Sequence, residues 1–175
     1  MRFTHTRRAT AAALLAAGLF ALPAQAAEES LVMELKCGPV EIVLRPDLAP
    51  KHVEQIKALV AKGFYDGIIF HRVIDGFMAQ TGDPTGTGMG GSDLPDIPAE
   101  FSSEPFVRGT VGMARANDPN SANSQFFIMF ADGSFLNGQY TVWGQVTKGM
   151  ECVDQINRGE PPASPDKIIS LKLAK

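Results

Sequence analysis

The stretch FHRVIDGFMAQTGD, Phe70 to Asp83, sets a cation, Arg72, and an amide, Gln80, among the bulky apolar side chains Ile74, Phe77 and Met78. One reading is an amphipathic hairpin whose polar residues face water. The other is a site that grips an apolar group and a hydrogen-bond acceptor together. A guanidinium suits the second task, because it stays charged and its planar fork of donors can be held by a second group. Gln80 is the candidate holder.

Other chemistries fare worse. Gly86, Gly88 and Gly91 match the spacing of a dinucleotide-binding turn, but that motif needs a helix directly after it. SDLPDIP follows instead, and its two prolines exclude a helix. No G-x-S-x-G elbow occurs. A Ser-His-Asp triad would have to use His52, which reads as a solvated surface residue of an amphipathic helix, or His71, which reads as a structural hydrogen-bonding residue in a strand. Cys37 and Cys152 are too few for a zinc site and have no ligand spacing with the histidines. In an oxidising compartment they could pair, or they could stay as buried free thiols, and the sequence leaves both open. No metal and no cofactor is expected.

The elements that must position these residues begin after a leader. Arg2, Arg7 and Arg8 precede an uninterrupted apolar run, Ala11 to Leu22, and Ala24-Gln25-Ala26 offers a cleavage site. This predicts a signal peptide over residues 1–26 and export, to the periplasm or beyond, rather than a membrane span, which needs roughly 20 apolar residues. Residues 27–175 then form one domain. Of 16 basic residues three leave with the leader while all 19 acidic ones stay, so 13 against 19 gives a net charge of −6. That balance argues against nucleic acid or an anionic membrane as partner, and a monomer is expected.

LVMELKCGPVEIVLR alternates on either side of a Cys-Gly-Pro break, which predicts a hairpin. Asp47 to Gly63 carries helix signals, with Pro50 near the first turn and Val53, Ile56 and Val60 on one face. Short strands are predicted at 68–73, 77–81, 110–114, 125–130 and 141–146, then a helix over 149–159 and a last strand through Ile169, Leu171 and Leu173. Residues 83–98 form a long loop. Many short strands and two helices without a strand-helix rhythm predict a mainly β fold, a closed antiparallel barrel with the helices covering it.

FHRVIDGFMAQTGD, together with MARANDPNSANSQFFIMF (113–130) and FLNGQYTVWGQV (135–146), resembles the cyclophilin family of peptidyl-prolyl cis-trans isomerases, in particular its short secreted bacterial members. The resemblance spans the whole chain after the leader. It implies a closed eight-stranded antiparallel barrel capped by two α-helices that accelerates rotation about X-Pro bonds. By position it places the catalytic arginine at Arg72, with Gln80 and Gln125 as the two glutamines. It places the proline pocket at Phe77, Met78, Phe127 and Leu136, and the backbone that binds the substrate chain at Ala114 and Arg115. Phe135 stands where many relatives have Trp, and Tyr140 where many have His. A family tryptophan there offers its indole N–H to cyclosporin, so the resemblance implies weak cyclosporin binding here.

The residues support the same chemistry on physical grounds. Rotation about an X-Pro bond faces about 18–20 kcal/mol because amide resonance is lost, and unaided it takes tens to hundreds of seconds, on the order of a minute. At the twisted state the proline nitrogen regains a lone pair. A guanidinium aimed at it makes a hydrogen bond available only there, which is what catalysis requires. The partners expected are proline-containing peptides and folding exported proteins. The alternative is a barrel that merely holds such segments as a chaperone or scaffold. Arg72 favours the enzyme, since binding alone would not need a buried charge.

Overall fold

The structure is a computed structural model that describes residues 28–175; the expected leader, residues 1–26, lies outside the described residues. Its elements are β1 (Ser30–Glu34), β2 (Pro39–Leu44), α1 (Pro50–Ala61), β3 (Arg72–Ile74), β4 (Met78–Thr81), β5 (Thr110–Met113), β6 (Phe126–Met129), β7 (Val142–Lys148), α2 (Met150–Val153) and β8 (Ser170–Leu173). The eight strands make one antiparallel sheet in the order β3-β4-β6-β5-β7-β2-β1-β8.

The expected closed barrel is corrected to a curled half-barrel. The sheet's outer strands, β3 and β8, never join in a ladder; only isolated bridges, Ile69 with Lys167 and Val73 with Gly159, cross between the two edge regions. The segment that would have to continue β8 along β3 contains Pro161, Pro162 and Pro165. Proline has no N–H to contribute to a ladder, so pairing there is interrupted.

Alternation splits the strands into two faces. Ala79, Phe126 and Ile128 point into the curl and join Leu31, Ile42 and Trp143 in the main core. Their neighbours Met78, Phe127 and Met129 point outward into a separate apolar cluster with Phe106, Leu136 and Val142. A period of two leaves no other choice once the inner set is buried. The outer cluster is where the expected pocket residues Phe77, Met78, Phe127 and Leu136 collect.

Helix α1 starts with Pro50 in its first turn and has no side-chain cap of its own. Glu100, from the loop after β4, supplies one: its carboxylate accepts the orphan N–H groups of Lys51 (3.1 Å) and His52 (3.0 Å). The same carboxylate accepts from His52 Nδ1 at 2.6 Å. His52 is therefore buried, not the solvated surface residue that its amphipathic helix suggested. The second helix ends at Val153 rather than reaching Gly159. Beyond it the chain turns through i to i+3 bonds, and the Asn157 N–H goes to Asp166 Oδ2 at 2.8 Å instead of to a helix carbonyl.

Cys37 and Cys152 form a disulfide with Cα atoms 5.3 Å apart, which settles the question that the sequence left open. It ties the turn between β1 and β2 to α2 across 115 residues. Closing so long a loop removes about 4–5 kcal/mol of unfolded-chain entropy in the chain-entropy account. Reductant should lower the melting temperature by about 10 °C or more. Two titratable thiols in unreduced, denatured protein would show that the bridge does not form.

Acid should destabilise the fold from mild pH downward. Burial, opposed by Glu100, holds the His52 pKa below its ordinary 6.5, so the folded chain resists a proton that the unfolded chain accepts. Burial lowers His71 as well, with Asp83 opposing. Glu100 works in the same direction at lower pH: burial raises it, but the bonds from His52 and Lys51 prevail and hold it below 4.5. Thermal melts should be flat above pH 7 and fall steadily once the pH drops through 6.5. A melting temperature unchanged down to pH 5 would contradict the buried neutral histidines.

Candidate active site

Register brings the site residues together. On the outer face Arg72 of β3 lies opposite Gln80 of β4, Gln80 opposite Phe127 of β6, and Phe127 opposite Gly112 of β5. Four strands thus carry a row of guanidinium, amide, ring and no side chain. The gap is required: a Cβ on Gly112 would sit 2.6 Å from Phe106 Cε1 and 2.9 Å from Phe127 Cε2. Without it the Phe127 ring lies down across β5 and stacks on Phe106 at 5.8 Å. The next row, Ile74, Met78 and Met129, lines up beside it.

A groove of about 380 Å³ opens over these rows. Phe77, Met78, Phe127 and Leu136 supply its apolar floor and wall, with Arg72 and Gln80 on one edge and Phe135 and Tyr140 on the other. Phe135 is 63% exposed and leans on Phe77 with ring centroids 5.3 Å apart. Tyr140 meets Phe127 edge to face at 6.0 Å. Ile74 packs against the cluster but does not line the groove.

Arg72 is not the buried charge that the sequence suggested, since its side chain is 42% exposed. It is held from two sides. Its Nη1 donates to Gln80 Oε1 at 3.4 Å and its Nε to Glu160 Oε2 at 3.3 Å. Gln80 Nε2 in turn donates to Gln125 Oε1 at 2.9 Å. Gln125 lies outside the apolar groove and lines a neighbouring one of about 460 Å³, which shares Gln80, Ala114 and Arg115 with it.

Ala114 and Arg115 form the ridge between the two grooves. The Ala114 N–H is taken by the Gln125 carbonyl at 3.0 Å. The Arg115 side chain turns back, donating to the carbonyls of Ala116 (2.9 Å) and Gln139 (2.9 Å), with its Cζ 4.4 Å above the Tyr140 ring. Tyr140 therefore stands as a wall braced by a cation on one side and Phe127 on the other. His71, expected to make a structural hydrogen bond, is buried with neither ring nitrogen partnered.

Sequence reasoning missed Glu160 and Gln139. Glu160 lies 88 residues from its partner Arg72, in RGEPP, a stretch with no periodicity or motif to mark it. Gln139 borders the groove and receives Arg115 through its backbone carbonyl, a contact that no side-chain type announces. Among the described residues, no group of three or more His, Cys, Asp or Glu is placed to hold a metal ion.

No serine, cysteine or acid lines the apolar groove. An antiparallel half-barrel with a held guanidinium beside an apolar groove has the parts to hold an apolar group and a hydrogen-bond acceptor side by side. Comparison with known proteins agrees. Residues 30–173 match the family described as cyclophilin type peptidyl-prolyl cis-trans isomerase/CLD. A probable peptidyl-prolyl cis-trans isomerase of Brucella suis is 58% identical over 162 residues, covering 83% of each chain. Among solved structures, a cyclophilin from Hirschia baltica has a TM-score of 0.76 at 32% identity, over 82% of this chain and 73% of that one. A cyclophilin type isomerase from Cryptosporidium parvum, solved in the presence of the dipeptide Ala-Pro, has a TM-score of 0.77 at 29% identity, over 83% and 99%. The chain belongs to the cyclophilin-type peptidyl-prolyl cis-trans isomerases.

Proposed function

We propose that the protein accelerates X-Pro rotation in exported polypeptides and so assists their folding, with Arg72 as the group that lowers the barrier. The observation that carries the assignment is the guanidinium fixed at the edge of the apolar groove between Gln80 and Glu160. The proline ring fills the floor made by Phe77, Met78, Phe127 and Leu136, and the preceding carbonyl swings while the ring stays anchored. The Arg72 donors left over from Gln80 and Glu160 meet the nitrogen lone pair that exists only in the twisted state. Gln80 orients the fork, Gln125 orients Gln80, and the chain on either side of proline lies along the Ala114–Arg115 ridge. The Ala-Pro dipeptide present with the Cryptosporidium relative supports this use of the groove.

Export rests on two supports. The amino-terminal sequence has the order of a leader, basic residues, apolar run and small-residue cleavage site. The disulfide between Cys37 and Cys152 belongs to an oxidising compartment. Extracting a periplasmic fraction and sequencing the mature amino terminus tests this; a cytosolic protein beginning at Met1 would refute it.

The catalytic reading is tested at Arg72. Replacing it with Ala should cut kcat/KM about 10²–10³-fold, the usual loss for one preorganised donor, while the melting temperature stays within a few degrees, since this half-exposed side chain is not part of the core. Arg72→Lys should be nearly as damaging because the fork is lost. Retention of more than half the activity in either variant would remove Arg72 from the role.

Cyclosporin should bind weakly. Phe135 keeps an apolar wall beside Phe77 but has no donor. An acceptor left unpaired in the complex costs about 1–3 kcal/mol, or roughly 5- to 150-fold in affinity. Phe135→Trp should restore much of that affinity and change peptide turnover little. Tight inhibition of the unaltered protein, or no gain on adding Trp, would show that another feature shapes the site.

A further inference from the structure

Gln125 is held in one orientation by partners outside the groove. Its Nε2 donates to two backbone carbonyls, Gly88 O at 3.0 Å and Gly90 O at 2.8 Å. A carbonyl only accepts, so the amide nitrogen must face that loop, and both of its hydrogens are used. Its Oε1 is therefore forced toward Gln80. Gln80 must answer with its Nε2, and this turns its Oε1 toward Arg72 Nη1. The two glutamines transmit a direction. Flipping either amide would set oxygen against oxygen at one end of the chain.

The loop that fixes this direction is built around one buried carboxylate. Asp83 Oδ1 accepts from the backbone N–H (2.7 Å) and the hydroxyl (2.7 Å) of Thr85. Its Oδ2 accepts from the N–H groups of Thr87 (3.1 Å), Gly88 (2.6 Å) and Gly90 (3.1 Å), and from the Thr87 hydroxyl (3.4 Å). Thr87 Oγ1 accepts the Met89 N–H at 3.2 Å. In a trans peptide the N–H and C=O point opposite ways. Drawing the Met89 N–H inward therefore sends the Gly88 carbonyl outward, onto Gln125. The fit is close: a Cβ on Gly90 would collide with Asp83 Oδ1 and come within 2.8 Å of Thr85 Oγ1. Burial pushes the Asp83 carboxyl up, but the Thr85, Gly88 and Gly90 bonds outweigh it and pull its pKa down to about 2. It is an ionised acceptor at every working pH.

We infer that Asp83 is a positioning residue for the isomerase reaction, setting the orientation of Arg72 through the Gly88 and Gly90 carbonyls, Gln125 and Gln80. The inference rests on Arg72 being the group that acts on the substrate. Asp83 lines neither groove. Its influence should fall on kcat, because the ring pocket of Phe77, Met78, Phe127 and Leu136 is untouched.

The test is Asp83→Asn, which keeps the shape but places an NH2 among donors. The expected result is a fall in kcat of roughly 3- to 10-fold, the scale of one hydrogen bond, with KM for a prolyl peptide within about twofold of the parent protein's value. The deciding measurement is a double-mutant cycle with Gln125→Leu: once Gln125 is gone the chain is cut, and Asp83→Asn should reduce kcat no further. If Asp83→Asn fails to fold, Thr85→Val removes one bond to the carboxylate with little change of shape, and should show the same kcat loss at smaller size and the same non-additivity. An unchanged kcat, a change confined to KM, or additive losses would each overturn the inference. Arg72→Ala run alongside separates the two failures: full activity there would mean that the catalytic assignment itself is wrong.

Discussion

Everything at this site depends on strand register. Arg72, Gln80 and Phe127 come from three strands and meet because they fall on one line across β3, β4 and β6, on the outer face of the sheet. A slip of one residue in any strand would send its member of the line into the core and bring Val73, Ala79 or Phe126 outward. Register here is strongly specified because the inner face is buried: Phe126, Ile128 and Trp143 have no exposed alternative. The main core therefore fixes the register of the site residues from the inner face, while Met78, Phe127 and Leu136 pack into a second buried cluster of their own on the outer one.

The separation of faces leaves the polar groups with a problem of their own. Amides and a guanidinium on an outer face could take many rotamers, and water would satisfy most of them. The protein restrains them by chaining them, so that each partner leaves the next only one way to point. Glu160 reaches Arg72 from the proline-containing segment that interrupts closure of the sheet. Arg115 and Tyr140 brace one another on the opposite wall. The grip on Arg72 is thus assembled from β3, β4, the residue just before β6, the loop after β4 and the segment before β8, and none of these alone would hold it.

Much of this was legible beforehand, for identifiable reasons. Alternation in LVMELKCGPVEIVLR and the apolar spacing of Val53, Ile56 and Val60 report on local burial, and the hairpin and α1 stand where those patterns put them. The motif blocks carried the groove residues from Phe77 to Tyr140 to one place. Features made by tertiary partners were not legible. Closure failed because of three prolines acting at a sheet edge, α2 stopped early because Asp166 captured an N–H, and His52 was buried by a glutamate 48 residues away. Glu160 and the Asp83 cradle belong to the same kind: their meaning lies in which distant groups they face, and a side chain's type carries no record of that.

An open groove on a sheet's outer face also suits the reaction. The substrate's ring must be immobilised, but the carbonyl next to it has to sweep through half a turn, and the polypeptide must leave in both directions. A closed pocket would obstruct both. Here the floor is closely packed where Phe127 lies over Gly112 and stacks on Phe106, and the rim is open where Phe135 stands mostly in solvent. On the proposed use of the groove, the packed floor lies under the proline ring and the held guanidinium beside the twisting amide. In that arrangement binding energy would go to the twisted state rather than to enclosing the planar one, which is how an enzyme with neither nucleophile nor acid lining its groove would lower the barrier.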